Sequence, residues 1–396
     1  MKKRFYLGKL DWMEALAFVI VLGIIYTVVY NIAPLTSMLI TVTFILTLYL
    51  YISRLMVRRL DAISNRLLIL SLMLAFLNVT ISGIGSFDYY KKVIMYSCTL
   101  ILLVCNISTR ISLKTVFFVY GINVIIAILY LLTYNQGYNY YEGENLLTLN
   151  FTNPNQAGMF IYTTLLYILL PIVSIEKPLK PIKTLLLSAI FIPLALSLLK
   201  MLMLTGCRSA MMALCIFVCL IACDYLRGPK KWIKKWMLVI IAIMPFIFVF
   251  VYLVYASTVV MDVSFGIESA GKSAMTRMDI WQPIVRDFFH YFVFGDYYGI
   301  SKGTGASQMH NTHLDIYSSY GIVPLILFIT ILTRSMWITY ANSKLRFQRT
   351  AVYAFISTMV IGTFEASYVA GSAGLFVLIN GFLLVANCNT NEDIAS

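Results

Sequence analysis

Two of the three histidines of this 396-residue chain, His310 and His313, lie three residues apart, and Asp315 follows them. On a helix this spacing places two imidazoles on one face, as in a metal site. A zinc site normally needs three or four ligands, and no cysteine or third histidine lies close by in the sequence. We therefore expect no metal. We favour a general base, since imidazole accepts protons near neutral pH; an ordinary loop or interfacial histidine is the alternative.

Three arginines also lie at positions where a guanidinium could take part in binding or catalysis. Arg208 stands in the small-residue stretch "LTGCRSA" and Arg277 in "AMTRMDIW". A guanidinium donates two parallel hydrogen bonds to phosphate and stays charged, so both arginines fit an anion site. The alternatives are an interfacial arginine that binds lipid phosphate for Arg208 and a solvated loop charge for Arg277. Arg286 adjoins Asp287, and a surface ion pair is the favoured interpretation there.

The composition indicates which kind of scaffold must hold these side chains. The chain is 60% hydrophobic and only 12% charged, whereas a soluble domain is about half apolar and a quarter charged. This predicts a polytopic membrane protein. The net charge of +13 is then explained by basic loops on the cytoplasmic side, without nucleic acid as a partner. The seven cysteines are scattered, mostly in apolar runs, and are interpreted as packing residues.

Apolar runs long enough to cross a bilayer predict an all-α fold of about twelve transmembrane helices. The chain is read as one transmembrane domain, 1–396, and its basic start followed by a long apolar run is read as an uncleaved first span. The predicted spans are 14–32, 36–53, 67–84, 92–107, 114–133, 156–175, 184–204, 209–226, 237–256, 321–340, 350–368 and 370–388.

The distribution of charge predicts the orientation of these spans. With the N-terminus in the cytoplasm, about 22 of the 30 Lys and Arg fall on the cytoplasmic side, and both termini lie there. The outer side then carries a Tyr- and Asn-rich loop, 135–156, and a long loop, 257–320, between helices 9 and 10. In the long loop, apolar residues at spacings of three and four predict an amphipathic helix on the membrane surface, with Trp281, Ile284, Val285 and Phe288 on its apolar face.

The order of these features resembles a known family. "TGCRSA", "TRMDIW", "FGDYYG" and "MHNTHLDIYSSYGIVPL" follow one another into a span, and "NFTNPNQAG" precedes the sixth. This order is similar to that of the O-antigen ligase and O-antigen or capsule polymerase superfamily, the Wzy/WaaL-like membrane glycosyltransferases. One departure is Cys207, where the family commonly has a small residue such as serine; the glycine-rich stretch before His310 is also looser than usual.

The resemblance implies a GT-C-like fold and transfer of a glycan from undecaprenyl diphosphate. It implies His310 as the catalytic base and Arg208 and Arg277 as diphosphate ligands. No metal or other cofactor is required, and the transfer inverts the anomeric centre. Supporting or substrate-contacting roles are assigned to Asn311, His313, Asn155, Trp281 and Arg286. The implied partners are the lipid-linked donor and acceptor, membrane lipid and a chain-length regulator protein. The implied location is the bacterial inner (plasma) membrane, with the site on the extracytoplasmic face.

Three functions remain open at this point. A polymerase would join lipid-linked repeat units into O-antigen or capsular polysaccharide, whereas a ligase would move a finished glycan onto lipid A core or another acceptor. The "NPNQAG" stretch and the Tyr- and Asn-rich loop favour the polymerase. A twelve-span transporter is the least favoured, because the long loop follows span nine rather than six and the candidate residues lie at the outer surface instead of the midplane.

Overall fold

A computed structural model of the chain shows a helical membrane protein. It describes residues 33–56, 60–81, 87–108, 111–134, 137–141, 144–149, 151, 153–173, 181–228, 230–259, 277, 279–296, 309–365 and 373–389. The first predicted span, 14–32, lies outside these residues. Each later predicted span coincides with a helix, because long apolar runs have few polar groups that compete for the backbone hydrogen bonds of a helix.

The helices are numbered here in chain order. They are α1 Ala33–Met56, α2 Ala62–Ile81, α3 Phe87–Ser108, α4 Leu113–Thr133, α5 Pro154–Val173, α6 Pro181–Leu204, α7 Arg208–Arg227, α8 Lys235–Val259, α9 Phe288–Tyr291, α10 Thr312–Tyr320, α11 Ile322–Asn342, α12 Arg346–Phe364 and α13 Ala373–Ala386. Residues 279–286 are also helical.

Within the described ranges, six helical segments are long and apolar enough to cross a membrane, judged by length and composition. They are Ala62–Ile81, Val116–Thr133, Pro154–Val173, Arg208–Arg227, Lys235–Val254 and Ile322–Asn342. Three shorter apolar helices, Ile40–Met56, Lys92–Ser108 and Ser188–Leu204, accompany them. The chain is thus a helical membrane protein, and the total of twelve spans stays a prediction.

Two small sheets interrupt the helices, which the all-α prediction did not include. The strands β2, Tyr138–Tyr141, and β3, Glu144–Leu147, form an antiparallel hairpin inside the predicted Tyr- and Asn-rich loop. The strands β1, Ile111–Ser112, and β4, Cys388–Asn389, pair in parallel. Tyrosines fit a pleated surface, and the hairpin pairs locally, so this segment is more ordered than its loop-like composition indicates.

Helix α12 lies at the centre of the packing. It contacts α5, α7, α8 and α13, and almost every residue from Gln348 to Thr363 is buried. The end of α12 lies beside the starts of α5 and α7, as the hydrogen bonds around Glu365 and Cys207 show. We call this end of the bundle the site end. At the opposite end, Arg349 of α12 meets Asp224 of α7, so α7 and α12 run antiparallel.

The short helix α10 is buried along its whole length although it carries many polar residues. Several of these polar side chains bond neighbouring elements, which offsets the cost of removing them from water. Asp315 pairs with Lys92 of α3 at 2.9 Å, and Tyr317 donates to the carbonyl of Phe288. Gly321 then joins α10 to α11 at a φ of +91°, where a Cβ would overlap the carbonyl of Val293. The fold therefore holds α10 in one position.

Candidate functional site

The side chain of Glu365, just after α12, gathers three of the predicted site residues. It is 8% exposed, and it contacts His310, Arg277 and Asn155. We call these four residues the carboxylate site. They come from four separate stretches of the chain, so their convergence is a property of the fold.

His310 contacts this carboxylate through Nδ1. The Nδ1 atom lies 3.1 Å from Glu365 Oε2, and the imidazole is 33% exposed. An ionised carboxylate accepts hydrogen bonds and has no proton to donate. A neutral His310 therefore donates from Nδ1 and leaves the lone pair of Nε2 available. An imidazole held in this way is suited to accept a proton from a substrate.

Arg277 brings a positive charge to the same place. Its Nη2 atom lies 3.9 Å from Glu365 Oε1, and its guanidinium lies 5.7 Å from the ring centre of Phe364. The side chain is partly exposed, at 21%. An arginine that stacks on an aromatic ring and keeps part of its surface in solvent retains donors for an incoming anion.

Asn155 donates from Nδ2 to Glu365 Oε1 at 3.1 Å. It lies in the first turn of α5, in the "NPNQAG" stretch of the sequence. Its backbone carbonyl accepts a bond from Cys207 Sγ at 3.6 Å. Asn155 therefore links the carboxylate site to the turn that precedes α7.

Residues 205–208 form this turn, which we call the arginine turn. Cys207 is buried there, and a Cβ on Gly158 of α5 would overlap it. Burial raises the pKa of the Cys207 thiol to about 11, so the thiol is a packing group rather than a nucleophile. Arg208 is exposed at the start of α7, and its side chain makes no hydrogen bond or ion pair with the residues that the structure describes. Its guanidinium is thus accessible to solvent beside Cys207, at the rim of the site, but the structure does not bring it into contact with the four described residues of the carboxylate site.

Asn311 is fully buried, and its hydrogen-bond partners are backbone groups of the protein. Its Oδ1 accepts from the Leu314 N–H and caps α10, while its Nδ2 donates to the carbonyls of Pro245 and Thr363 at 2.7 and 2.9 Å. The Pro245 carbonyl has two lone pairs, so it can accept from Asn311 in addition to any bond within α8. Asn311 thereby fixes the backbone next to His310, which has a φ of +48°.

His313 does not reach the carboxylate site. It is buried in the first turn of α10, and its Nε2 lies 2.7 Å from the carbonyl of Ala242 in α8. Burial lowers the pKa of His313 to about 4, although the hydrogen bond to Ala242 opposes this shift. The two histidines of the H-x-x-H pattern therefore face different partners and do not form a pair.

Trp281 and its apolar stripe are helical as predicted, but the prediction that the stripe lies on the membrane surface is wrong. Trp281 and Ile284 are fully buried. The indole Nε1 donates to the carbonyl of Met309 at 2.6 Å, and the ring packs edge-on against Tyr252 of α8. The stripe thus packs against protein, where Trp281 supports the residue that precedes His310.

Arg286 lies on the opposite, exposed side of the same helical stretch. Its Nε atom is 3.3 Å from the carboxylate of the adjacent Asp287, and the side chain is 74% exposed. The structure does not bring Arg286 to Glu365. Its geometry matches the surface ion pair that the sequence favoured, which contributes little to stability.

Glu365 is a site residue that was not predicted from the sequence. It is the single acidic residue between Gly321 and Thr390, and the only charged residue of either sign between Arg349 and Thr390. An ionisable residue beside a membrane span is costly unless it is paired or functional. The isolation of this glutamate in an apolar stretch was therefore a usable signal.

The arrangement can assist a reaction that removes a proton from a hydroxyl and releases an anion. His310 offers Nε2 as the proton acceptor, and the carboxylate of Glu365 balances the charge that the imidazole gains. Arg277 lies beside this base, with Arg208 at the rim. Positive charge that is fixed before the reaction stabilises a leaving group as its negative charge develops.

Comparison with known proteins identifies a family whose model matches part of the chain. A model of the O-antigen ligase family matches residues 193–329, which include the arginine turn, Arg277 and both His310 and His313. Asn155 and Glu365 lie outside the matched range. No curated protein and no solved structure matches the chain. Over residues 193–329 the chain is therefore similar to the O-antigen ligase family, which supports its resemblance to the superfamily of O-antigen ligases and polymerases.

Proposed function

We propose that the chain transfers a glycan from a polyprenyl diphosphate to an acceptor hydroxyl. The observation that carries the proposal is the convergence of His310, Arg277 and Asn155 on Glu365 at one end of a membrane bundle, beside the arginine turn. The family match supports the same class of enzyme.

The proposed reaction is a single displacement at the anomeric carbon. His310 Nε2 accepts the proton of the acceptor hydroxyl while its oxygen bonds to the anomeric carbon of the donor. The bond from that carbon to the diphosphate breaks, and the diphosphate leaves with the electron pair. Arg277 and Arg208 bind the diphosphate and stabilise its growing charge. Attack opposite the leaving group inverts the anomeric configuration.

The distribution of charge supports an extracytoplasmic site. Basic residues concentrate at the end of the bundle opposite the carboxylate site, where Lys231 bonds the carbonyl of Ala341 and two arginines, Arg346 and Arg349, surround Asp224. Basic segments remain preferentially in the cytoplasm. We therefore propose that the reaction occurs on the outer face of the bacterial plasma membrane, where lipid-linked repeat units are joined.

For the acceptor, we propose a second lipid-linked repeat unit, which makes the chain a polymerase of O-antigen or capsular polysaccharide. Asn155, from the "NPNQAG" stretch that favours this branch, contacts the carboxylate of the site. A ligase is the second candidate, because the matching family model is described as O-antigen ligase.

The test is an assay of the purified chain in lipid nanodiscs with an undecaprenyl-diphosphate-linked repeat unit as the only sugar substrate. A ladder of longer glycans is the expected product, and addition of a chelator leaves it unchanged. Product that forms only when a second kind of acceptor is added would identify a ligase. Absence of product with either acceptor would contradict the proposal.

Variants assign the roles within this assay. His310→Ala removes the base and lowers transfer by about 100-fold or more. Arg208→Lys and Arg277→Lys each lower it roughly 10- to 100-fold, because lysine cannot make the two-pronged phosphate contact. Arg286→Lys is the matched control, since Arg286 pairs with Asp287 at the surface, and it retains full activity. Equal activity of Arg208→Lys and Arg286→Lys would remove Arg208 from the site.

A further inference from the structure

The two oxygens of the Glu365 carboxylate have different partners. Oε1 accepts from Asn155 Nδ2 at 3.1 Å and lies 3.9 Å from Arg277 Nη2. Oε2 faces His310 Nδ1 at 3.1 Å. One hydrogen bond and one nearby positive charge therefore hold Oε1, and the imidazole faces Oε2.

We propose that Glu365 is a positioning residue that sets the tautomer of His310, and that Asn155 and Arg277 determine which carboxylate oxygen faces the imidazole. This inference rests on the proposed function, in which His310 acts as the base. Glu365 itself touches no reacting atom in this scheme. It acts through His310, because the Nδ1 proton that it accepts leaves Nε2 as the basic nitrogen.

The surrounding backbone supports such a role. Thr312 Oγ1 donates to the backbone carbonyl of Glu365 at 3.1 Å, and Asn311 Nδ2 donates to the carbonyl of Thr363. These bonds tie the His310 segment to the end of α12 independently of the imidazole. A change at the Glu365 side chain therefore alters the hydrogen bond to Nδ1 while the two segments stay joined.

Replacement of Glu365 by glutamine makes a specific structural prediction. Asn155 Nδ2 donates to the Oε1 position and the Arg277 guanidinium lies 3.9 Å from it, so the amide oxygen of the new glutamine is held there and its NH₂ group takes the place of Oε2. That NH₂ group then donates to His310 Nδ1. The imidazole must carry its proton on Nε2, and it can no longer accept one from the acceptor hydroxyl.

The experiment reads the tautomer directly, by nitrogen-15 NMR of histidine-labelled protein in alkaline buffer. The chain has three histidines, so His310→Gln suffices to assign the signal of His310. In the unmodified protein we expect neutral His310 with its proton on Nδ1. In Glu365→Gln we expect the proton on Nε2, together with a loss of transfer of roughly 1,000- to 10,000-fold, by analogy with an amide in place of the aspartate of a catalytic triad.

A second variant distinguishes this role from simple support of the fold. In Asn155→Asp/Glu365→Gln, the new carboxylate accepts from the NH₂ group of the introduced glutamine and turns the amide, so its oxygen faces Nδ1 again. We expect the Nδ1–H tautomer to return and transfer to recover at least about tenfold over Glu365→Gln, since Nε2 regains its lone pair. Asp287→Asn, at an exposed carboxylate that pairs with Arg286, is the control and changes neither readout.

The outcomes separate the inference from the proposed function. A His310 proton on Nε2 in the unmodified protein would overturn the inference, and so would an unchanged tautomer in Glu365→Gln; neither result requires turnover or substrate. If the tautomers behave as expected but the unmodified protein transfers no glycan, the proposed function fails while the positioning of His310 stands. If Glu365→Gln does not fold, the tautomer of His310 in the unmodified protein still tests the inference.

Discussion

At the scale of single residues, His310 and His313 show how little the spacing of two histidines determines. His310 precedes α10 with a left-handed backbone and reaches a carboxylate. His313 lies within the helix and reaches a backbone carbonyl of α8. The start of α10 between them turns the two side chains toward different neighbours, so one is suited to proton transfer and the other to packing.

His313 makes the stability of the protein depend on pH. Its pKa falls from the ordinary value of 6.5 to about 4 in the fold, because burial disfavours the charged imidazole. Between these values the unfolded chain binds a proton that the folded chain does not, so stability is lost as the pH falls from about 6.5 to about 4. The full loss is on the order of 3 kcal/mol.

Thermal unfolding in detergent at a series of pH values measures this loss. His313→Gln keeps an N–H for the Ala242 carbonyl but does not titrate, so we expect a smaller decrease of the unfolding temperature in acid. His290→Gln is the control, because His290 is 62% exposed and pairs with Asp296 near the surface. An identical acid dependence in His313→Gln and the unmodified protein would refute the assignment.

From the sequence, several of the residues that the fold brings together could be singled out where a residue type is rare. Arginine and histidine stand out in an apolar chain, and His310, Arg277 and Asn155 do lie together. Glu365 could not be joined to them, because its contact with His310 spans 55 residues and depends on the path of α12. The roles of Asn311 and Trp281 also required the fold. Their partners are backbone carbonyls, which every residue type has, so the sequence does not identify them.

At the scale of elements, the carboxylate site depends on the close approach of α5 to the arginine turn. Gly158 allows this approach because it has no Cβ. A Cβ there would overlap that of Cys207, with Sγ of Cys207 and Oγ1 of Thr205 each 2.9 Å away. Because Asn155 lies one turn earlier in α5, this contact also sets the distance between the arginine turn and Glu365.

Gly158→Ala should therefore displace the arginine turn. We expect a decrease in stability of about 1–3 kcal/mol, typical of an overpacked contact, and a decrease in glycan transfer. Gly121→Ala in α4 is the control, since no atom lies within 4 Å of the position that its methyl group would take, and alanine favours a helix. Thermal unfolding and the transfer assay measure the two effects.

The double variant Gly158→Ala/Cys207→Gly checks the cause. Removal of the Cys207 side chain vacates the space that the new methyl group needs, so part of the lost stability should return. If the double variant is no more stable than expected from the sum of the single changes, the contact with Cys207 does not explain the effect.

The helices were predictable as elements, whereas their surroundings were not. Apolar runs predicted α1 to α8 and α11 to α13 because hydrophobic length alone defines a span. The stripe that contains Trp281 was recognised as helical from its spacing, but the spacing is the same whether lipid or protein covers the stripe. The hairpin of β2 and β3 was missed because its Tyr and Asn residues also suit a loop.

At the scale of the whole molecule, the end opposite the carboxylate site contains a second buried charge cluster. Asp224 of α7 receives two bonds from Arg349, at 3.0 and 3.2 Å, and one from Tyr353 OH at 2.8 Å. Arg346 lies 3.5 Å from the same carboxylate. Since α7 starts with Arg208 and α12 ends next to Glu365, this cluster fixes the relative position of the two helices that carry the site.

Asp224→Asn leaves Arg349 buried without a negative partner. We expect a destabilisation of about 3–5 kcal/mol, the usual result of breaking a buried ion pair. Transfer by the fraction of molecules that remains folded should be nearly unchanged, because Asp224 lies at the opposite end from the reacting groups. Thermal unfolding and activity normalised to folded protein measure the two quantities.

The matched control is Asp287→Asn, which breaks an exposed pair and should cost at most about 1 kcal/mol. A similar cost for the two variants would show that Asp224 does not carry the stability assigned to it. The basic segments at this end were predicted from the positions of Lys and Arg. The partner of Asp224 was not, because its contact with Arg349 spans 125 residues and depends on the packing of α7 against α12.

The helix α10 has a consequence for how the protein is made. Its cap residue Asn311 and its first residue Thr312 bond carbonyls that lie 52 and 53 residues further along the chain, at Thr363 and Glu365. During synthesis His310 therefore leaves the ribosome 55 residues before Glu365, whose carboxylate orients it. A nascent chain interrupted before α12 is complete holds His310 without Glu365, so the site can form only after α12 has been synthesised, and the shorter chain should be inactive.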